Sequence, residues 1–137
     1  MDATTFNIGI CEMSAELFVR SIEKGYDSKD FIEKLMNSET AEHLYNKMDT
    51  QMWLGVNYIM ETLENELEIK KGKTYPEDLM SWIGYLFACW NFTYAQDAPK
   101  DMLRQAPVDT LVLSYKGLHV MSFEDAIVEL KHIYMDN

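Results

Sequence analysis

Three histidines, two cysteines and a dense run of glutamates are the side chains with which this chain could do chemistry. A metal centre needs several His, Cys or carboxylate ligands at compatible spacing. His43, His119 and His132 are scattered, and no HxxxH, HExxH or CxxC pattern occurs. Glu42 and His43 are mere neighbours, and Glu129 with His132 at i, i+3 reads as a solvated helix face. Nucleophilic catalysis by a cysteine needs an electropositive setting and a base. Cys89 instead lies between Ala88 and Trp90 in the most apolar stretch, and Cys11 shares a helical stripe with Ala15, Phe18 and Ile22. Both read as core thiols. Glu61, Glu64, Glu66 and Glu68 could supply an acid and a base only inside a pocket that shifts their pKa values. Their spacing reads as an exposed helix face. No G-x-S-x-G, Walker or dinucleotide-binding glycine pattern is present. Gly9, Gly55 and Gly84 fall inside helical patterns, where they would allow close helix packing. No catalytic residue, metal or cofactor is expected.

The composition narrows the function further. The 137 residues carry 12 basic and 23 acidic side chains, a formal net charge of −11. That charge opposes binding to a phosphate backbone or an anionic membrane. The acids are distributed along the whole chain, as expected of a surface that maintains solubility. Hydrophobic residues make up 47% of the chain, enough for one domain with one core over residues 1–137. The ten methionines fall mostly on core stripes. The N-terminal residues lack the basic and apolar runs of a signal peptide. The longest apolar stretch, Leu79 to Trp90, is too short for a membrane span of roughly 20 residues. A reducing cytoplasm is the expected compartment.

The elements that must position these groups are helices, six to seven in all, packed around a central apolar one. The first runs from about Asn7 to Lys24 and stops at Gly25. Asp27 or Ser28 can cap a second that turns Phe31, Ile32, Leu35 and Met36 inward. Ser38 caps a short third segment with Ala41, Leu44, Tyr45 and Met48, and these two pieces read as one bent unit or two. Asp49 and Thr50 introduce an amphipathic helix over about 51–69. Its apolar stripe is Met52, Trp53, Val56, Ile59, Met60, Leu63 and Leu67, with Lys70, Lys71 and Lys73 beyond its C-terminal end. Pro76 opens the helix over about 76–95, which is apolar on nearly every side and therefore central. Short helices follow near 99–105 and 107–115. Residues 111–121 read either as a helix ended by Gly117 or as a small hairpin turning at Lys116-Gly117. Ser122 caps the last helix, which presents Phe123, Ala126, Ile127, Leu130 and Tyr134 on one face.

Apolar residues outside these stripes mark candidate contact surfaces. Leu54 and Tyr58 project from the 51–69 helix towards its acidic side, where Glu61, Glu64 and Glu68 lie, and Val128 leaves the stripe of the last helix. These five residues of the 51–69 helix form the candidate partner-binding edge. The favoured alternative is that Leu54 and Tyr58 pack beneath the N-terminal or C-terminal helix.

The strings Gly84-Tyr85-Leu86-Phe87-Ala88-Cys89-Trp90-Asn91-Phe92, Gln105-Ala106-Pro107, Tyr115-Lys116-Gly117-Leu118-His119 and Phe123-Glu124-Asp125-Ala126-Ile127, with Met36-Asn37-Ser38-Glu39-Thr40-Ala41, carry a resemblance. The C-terminal half, with a smaller contribution from the first half so that much of residues 36–130 is touched, resembles a family of small proteins of Firmicute genomes. Genes of that family often lie near those of ADP-ribosyltransferase-like toxins, an association of neighbourhood by which the resemblance implies an antitoxin, immunity or accessory role; it supplies no catalytic residues. Three readings result. The first is a non-enzymatic module that binds a protein with a basic surface, or a second copy of itself, because charge complementarity raises association rates. The second is an acidic mimic of nucleic-acid charge that occupies a DNA-binding protein. The third is a small-molecule sensor or enzyme with an aromatic pocket built from Trp82, Tyr85, Trp90 and Tyr94.

Overall fold

A computed structural model describes residues 3–46 and 54–136, and the side chains from Ile8 onward. Met48 to Trp53 of the expected stripes and caps therefore lie outside the described residues. The described chain forms eight α-helices: α1 (Ala3–Glu23), α2 (Ser28–Met36), α3 (Glu39–Leu44), α4 (Val56–Glu66), α5 (Glu77–Thr93), α6 (Pro99–Gln105), α7 (Val108–Leu118) and α8 (Phe123–Met135). The fold is an all-α bundle. The helix count exceeds six to seven because α2 and α3 are separate helices, broken at Asn37-Ser38.

The centre of the bundle is α5, as its all-round apolar character requires. It buries Leu79, Met80, Trp82, Ile83, Leu86, Phe87, Ala88 and Trp90. Its most extensive partner is α1, and α6, α7 and α8 cover its other sides. The two helices meet at Gly84, where a Cβ would stand 2.8 Å from the Ser14 carbonyl oxygen and 2.9 Å from Ala15 Cα. Only glycine permits that approach. Ser14, fully buried, donates from Oγ to the Gly84 carbonyl (2.8 Å) and accepts from the Tyr45 hydroxyl (2.9 Å). Buried polar groups of this kind must be paired to avoid a desolvation penalty. Phe18 packs edge-on against Phe31 and leans on Phe87, joining α1, α2 and α5.

Helix ends follow local chemistry. Gly25, at φ 74°, terminates α1. Asp27, not Ser28, caps α2 by accepting from Asp30 N, while the Ser28 hydroxyl accepts from Tyr75 N. Ser38 and Ser122 cap α3 and α8 through Ala41 N and Asp125 N. Pro99 is the first residue of α6; Pro76 and Pro107 stand one position outside α5 and α7.

Two expectations need correction. The helix over 51–69 is shorter, because Gly55 adopts φ 115° immediately before Val56 and Leu67 is already extended. Residues 67–75 instead form a strap across the α1–α2 turn. Asp27 N and Ser28 N donate to the carbonyls of Lys70 and Lys73, Gly72 N donates to Gly25 O, and Lys70 N reaches the Asp30 carboxylate. These tertiary hydrogen bonds replace helical ones. Residues 111–121 contain no hairpin: α7 runs through Gly117 to Leu118, and a turn follows.

Candidate functional site

The candidate edge on α4 is dispersed by the structure. Leu54 is 71% exposed, ahead of α4 rather than on it, so it does not pack beneath a terminal helix. Tyr58 is half-buried against the core. Glu61 faces solvent, whereas Glu64 pairs with Lys24 (2.6 Å) and accepts from the Tyr26 hydroxyl. Burial pushes the Glu64 carboxyl up, but Lys24 and Tyr26 outweigh it and hold the pKa below the usual range. Glu68 lies past the end of α4, in the strap, where its carbonyl accepts from Lys34 (2.6 Å). Glu66, expected to be solvated with its neighbours, has a structural task. Its carboxylate accepts from Glu39 N (2.8 Å), Thr40 N (2.9 Å) and Thr40 Oγ1 (2.6 Å), so it closes the N-terminus of α3 from another helix.

The aromatic quartet of α5 and its C-terminal flank is spread over several sides. Trp82 packs edge-on against Tyr115. The Trp90 indole donates to Asp97 (2.8 Å), which also accepts from Lys131 (2.8 Å) and Gln105 (3.2 Å). The Lys131 ammonium sits 4.3 Å from the Tyr94 ring centre and 5.1 Å from that of Trp90. Asp97 is raised by burial, but Lys131, Trp90 and Gln105 bring its pKa below the ordinary carboxylate range. This cluster ties the α5–α6 turn to α8. Tyr85 faces an open pocket, stacked on Phe123 at 4.5 Å.

That pocket, about 400 Å³, lies where α1, α5 and the start of α8 meet, with Tyr85, Phe92 and Phe123 among its walls. Cys11 and Cys89 line it too, their Sγ atoms 3.4 Å apart. Both cysteines are free; Cys11 is only 3% exposed, whereas Cys89 is half-buried. A hydrogen bond from the Cys11 thiol favours the thiolate of Cys89 over the opposing effects of burial and Glu124, so Cys89 is lowered and Cys11 raised. Cys11 is the core thiol the sequence suggests, whereas Cys89 is not: it is half-buried and stands at the wall of an open pocket beside Thr93 and Glu124. Pairing of the two thiols requires the register of α1 against α5: Cys11 lies one turn before Ser14, Cys89 five residues beyond Gly84, so the helices run antiparallel. Gly84 is the one sequence signal for that crossing point.

A further surface escaped the sequence reading. On α7 and the turn after it, Leu113 is 85% and Val120 77% exposed, with Val112 and Met121 also open. Leu113 lies on α7 itself, and Val120 lies two residues past its end, in the turn. Gly117 lies between them, and a Cβ there would meet nothing within 4 Å. The acids Glu124 and Asp125, both exposed, follow directly at the start of α8, and Val128 and Glu129 are exposed one turn on.

Among the described residues no three His, Cys, Asp or Glu side chains are placed to hold a metal ion, and no helix is long and apolar enough to cross a membrane. No family model, curated protein or solved structure matches the chain.

Proposed function

We propose that the chain works by binding another protein rather than by catalysis, and that it does so through α7 and the turn into α8. The observation that carries this reading is the exposure of Leu113 on α7 and of Val120 in the turn that follows, shortly before the exposed Glu124 and Asp125. Exposed large apolar side chains rimmed by charge are the composition of a contact surface. The complementary partner surface has an apolar recess flanked by lysine or arginine. The net charge of −11 adds long-range attraction to such a partner. An antitoxin or immunity protein that covers the basic cleft of an ADP-ribosyltransferase-like toxin is the specific form of this proposal.

The test compares the wild type with a Leu113→Asp, Val120→Asp double variant in pull-downs from the native host. One stoichiometric partner retained by the wild type and lost by an equally stable variant supports the proposal. Retention by the variant, or no partner together with turnover of a small molecule, overturns it. Elution of the wild type alone at twice its mass would make a second copy the partner.

A further inference from the structure

We infer that Cys11 and Cys89 form a redox-active dithiol that accepts oxidation from a low-molecular-weight disulfide in the pocket beside them. The inference rests on three observations and does not require the binding surface on α7, although Glu124 borders both. The two sulfurs are in contact at 3.4 Å although 78 residues separate them in sequence. Conversion to a disulfide bond near 2.05 Å needs only about 1.4 Å of relative sulfur movement, within reach of small side-chain rotations. The contact lies in a pocket of about 400 Å³ rather than in sealed core, and the half-buried Cys89 is the more accessible of the pair. The pocket walls combine apolar surface (Ile8, Tyr85, Phe92, Phe123) with polar groups (Thr93, Ser122) and one carboxylate, Glu124. That lining suits a small organic disulfide with both apolar and hydrogen-bonding parts.

The roles follow from burial. Cys89 is the attacking thiol, because an incoming disulfide reaches it first. Cys11, behind it and nearly inaccessible, is the resolving thiol. In the first step Cys89 loses its proton to solvent and its sulfur attacks one sulfur of the small disulfide RSSR. A Cys89–SR bond forms, the S–S bond of RSSR breaks, and the leaving thiolate takes up a proton as RSH. In the second step the Cys11 sulfur, as it gives up its proton, attacks Cys89 Sγ and expels the second thiolate, which is protonated to RSH. The balance is two cysteine thiols plus RSSR giving one Cys11–Cys89 disulfide plus two RSH. The protein loses two electrons and two protons, and the small disulfide gains them. The product locks α1 to α5 near their largest interface.

The experiment uses the full reduced chain and oxidised glutathione as the probe. Samples are alkylated at intervals and analysed by intact mass and non-reducing peptide mapping. The expected result is joint loss of both thiols with appearance of a Cys11–Cys89 linked peptide in monomeric, folded protein. Cys11→Ser should accumulate a stable glutathione adduct on Cys89, and Cys89→Ser should form its adduct at least about tenfold more slowly. Alkylation of both thiols undiminished after exposure to oxidised glutathione would overturn the inference, as would cross-links only between molecules. Equal adduct rates in the two variants would overturn the assigned roles. Should either variant fail to fold, the wild-type time course and peptide map decide alone.

Discussion

Replacing Gly84 with alanine sets two effects of opposite sign against each other. Helix propensity alone favours alanine by about 1 kcal/mol in a helix interior. Against it, the new Cβ would lie 2.8 Å from the Ser14 carbonyl oxygen, 2.9 Å from Ala15 Cα and 2.9 Å from Phe18 Cδ1. The first two are backbone atoms and cannot rotate away, so α1 must withdraw as a body by roughly 0.5–1 Å to restore ordinary contact. Overpacking of this kind costs about 1–3 kcal/mol. Withdrawal also stretches the buried Ser14–Gly84 hydrogen bond, now 2.8 Å, which adds about 1 kcal/mol. Gly84→Ala should therefore destabilise the fold by a net ~1–3 kcal/mol, lowering Tm by roughly 3–12 °C for a chain of this size. Gly117→Ala is the matched control, since a Cβ there meets nothing and the residue lies within α7. It should stabilise by about 0.5–1 kcal/mol. Thermal melting by far-UV circular dichroism, with urea midpoints as a second measure, reads both. An unchanged or raised Tm for Gly84→Ala would refute the close α1–α5 crossing.

Asp97→Ala should cost about 2–3 kcal/mol, because it strips Trp90 Nε1 and Lys131 of their shared acceptor, and Asp97→Asn should cost less. The lowered pKa of Asp97 fixes the sign of its pH dependence: its stabilisation is present above the ordinary carboxylate range and lost as pH falls through the lower folded value. Urea melts at pH 7 and pH 3 should thus show a smaller acid loss for Asp97→Asn than for the wild type; equal losses would contradict the assignment. Glu66→Ala should destabilise by about 1 kcal/mol through the uncapped start of α3, and urea midpoints unaffected by the change would show that the cap contributes nothing. Leu54→Ala should leave stability within about 0.5 kcal/mol, whereas Leu63→Ala, fully buried on α4, should cost ~2–5 kcal/mol; similar Tm shifts in the two variants would sink that contrast.

What the sequence disclosed was decided locally, and what it concealed depended on partners. The central helix α5 was legible because its residues are apolar on every side, which only a surrounded helix tolerates. Gly25, Ser38, Ser122 and Pro99 were legible because caps and stops act within a few residues. The end of α4 was not, since Leu67 continues its apolar stripe; Asp30 and the α1–α2 turn, 40 residues away, divert the chain. Gly55 reads as helical until its φ is known. Gly117 reads as a helix stop, yet a helix can absorb one glycine at about 1 kcal/mol. Glu66 looks solvated beside Glu61 and Glu64 until α3 is placed at its carboxylate. The thiol pair and the exposed side of α7 depend on which helix faces which, and no spacing within one helix records that.

The strap over 67–75 has a consequence for local opening. Its bonds join two connections that stand far apart in the chain, the α1–α2 turn and the α4–α5 link. Neither can lift without releasing the amides of the other, so the two should breathe as one cooperative unit. The amide protons of Asp27, Ser28, Gly72 and Tyr75 would then exchange with solvent deuterium in a single correlated event, at one common opening free energy. A protease cut anywhere between Lys70 and Thr74 would loosen the start of α2 as well, even though that helix lies 40 residues upstream in the covalent chain.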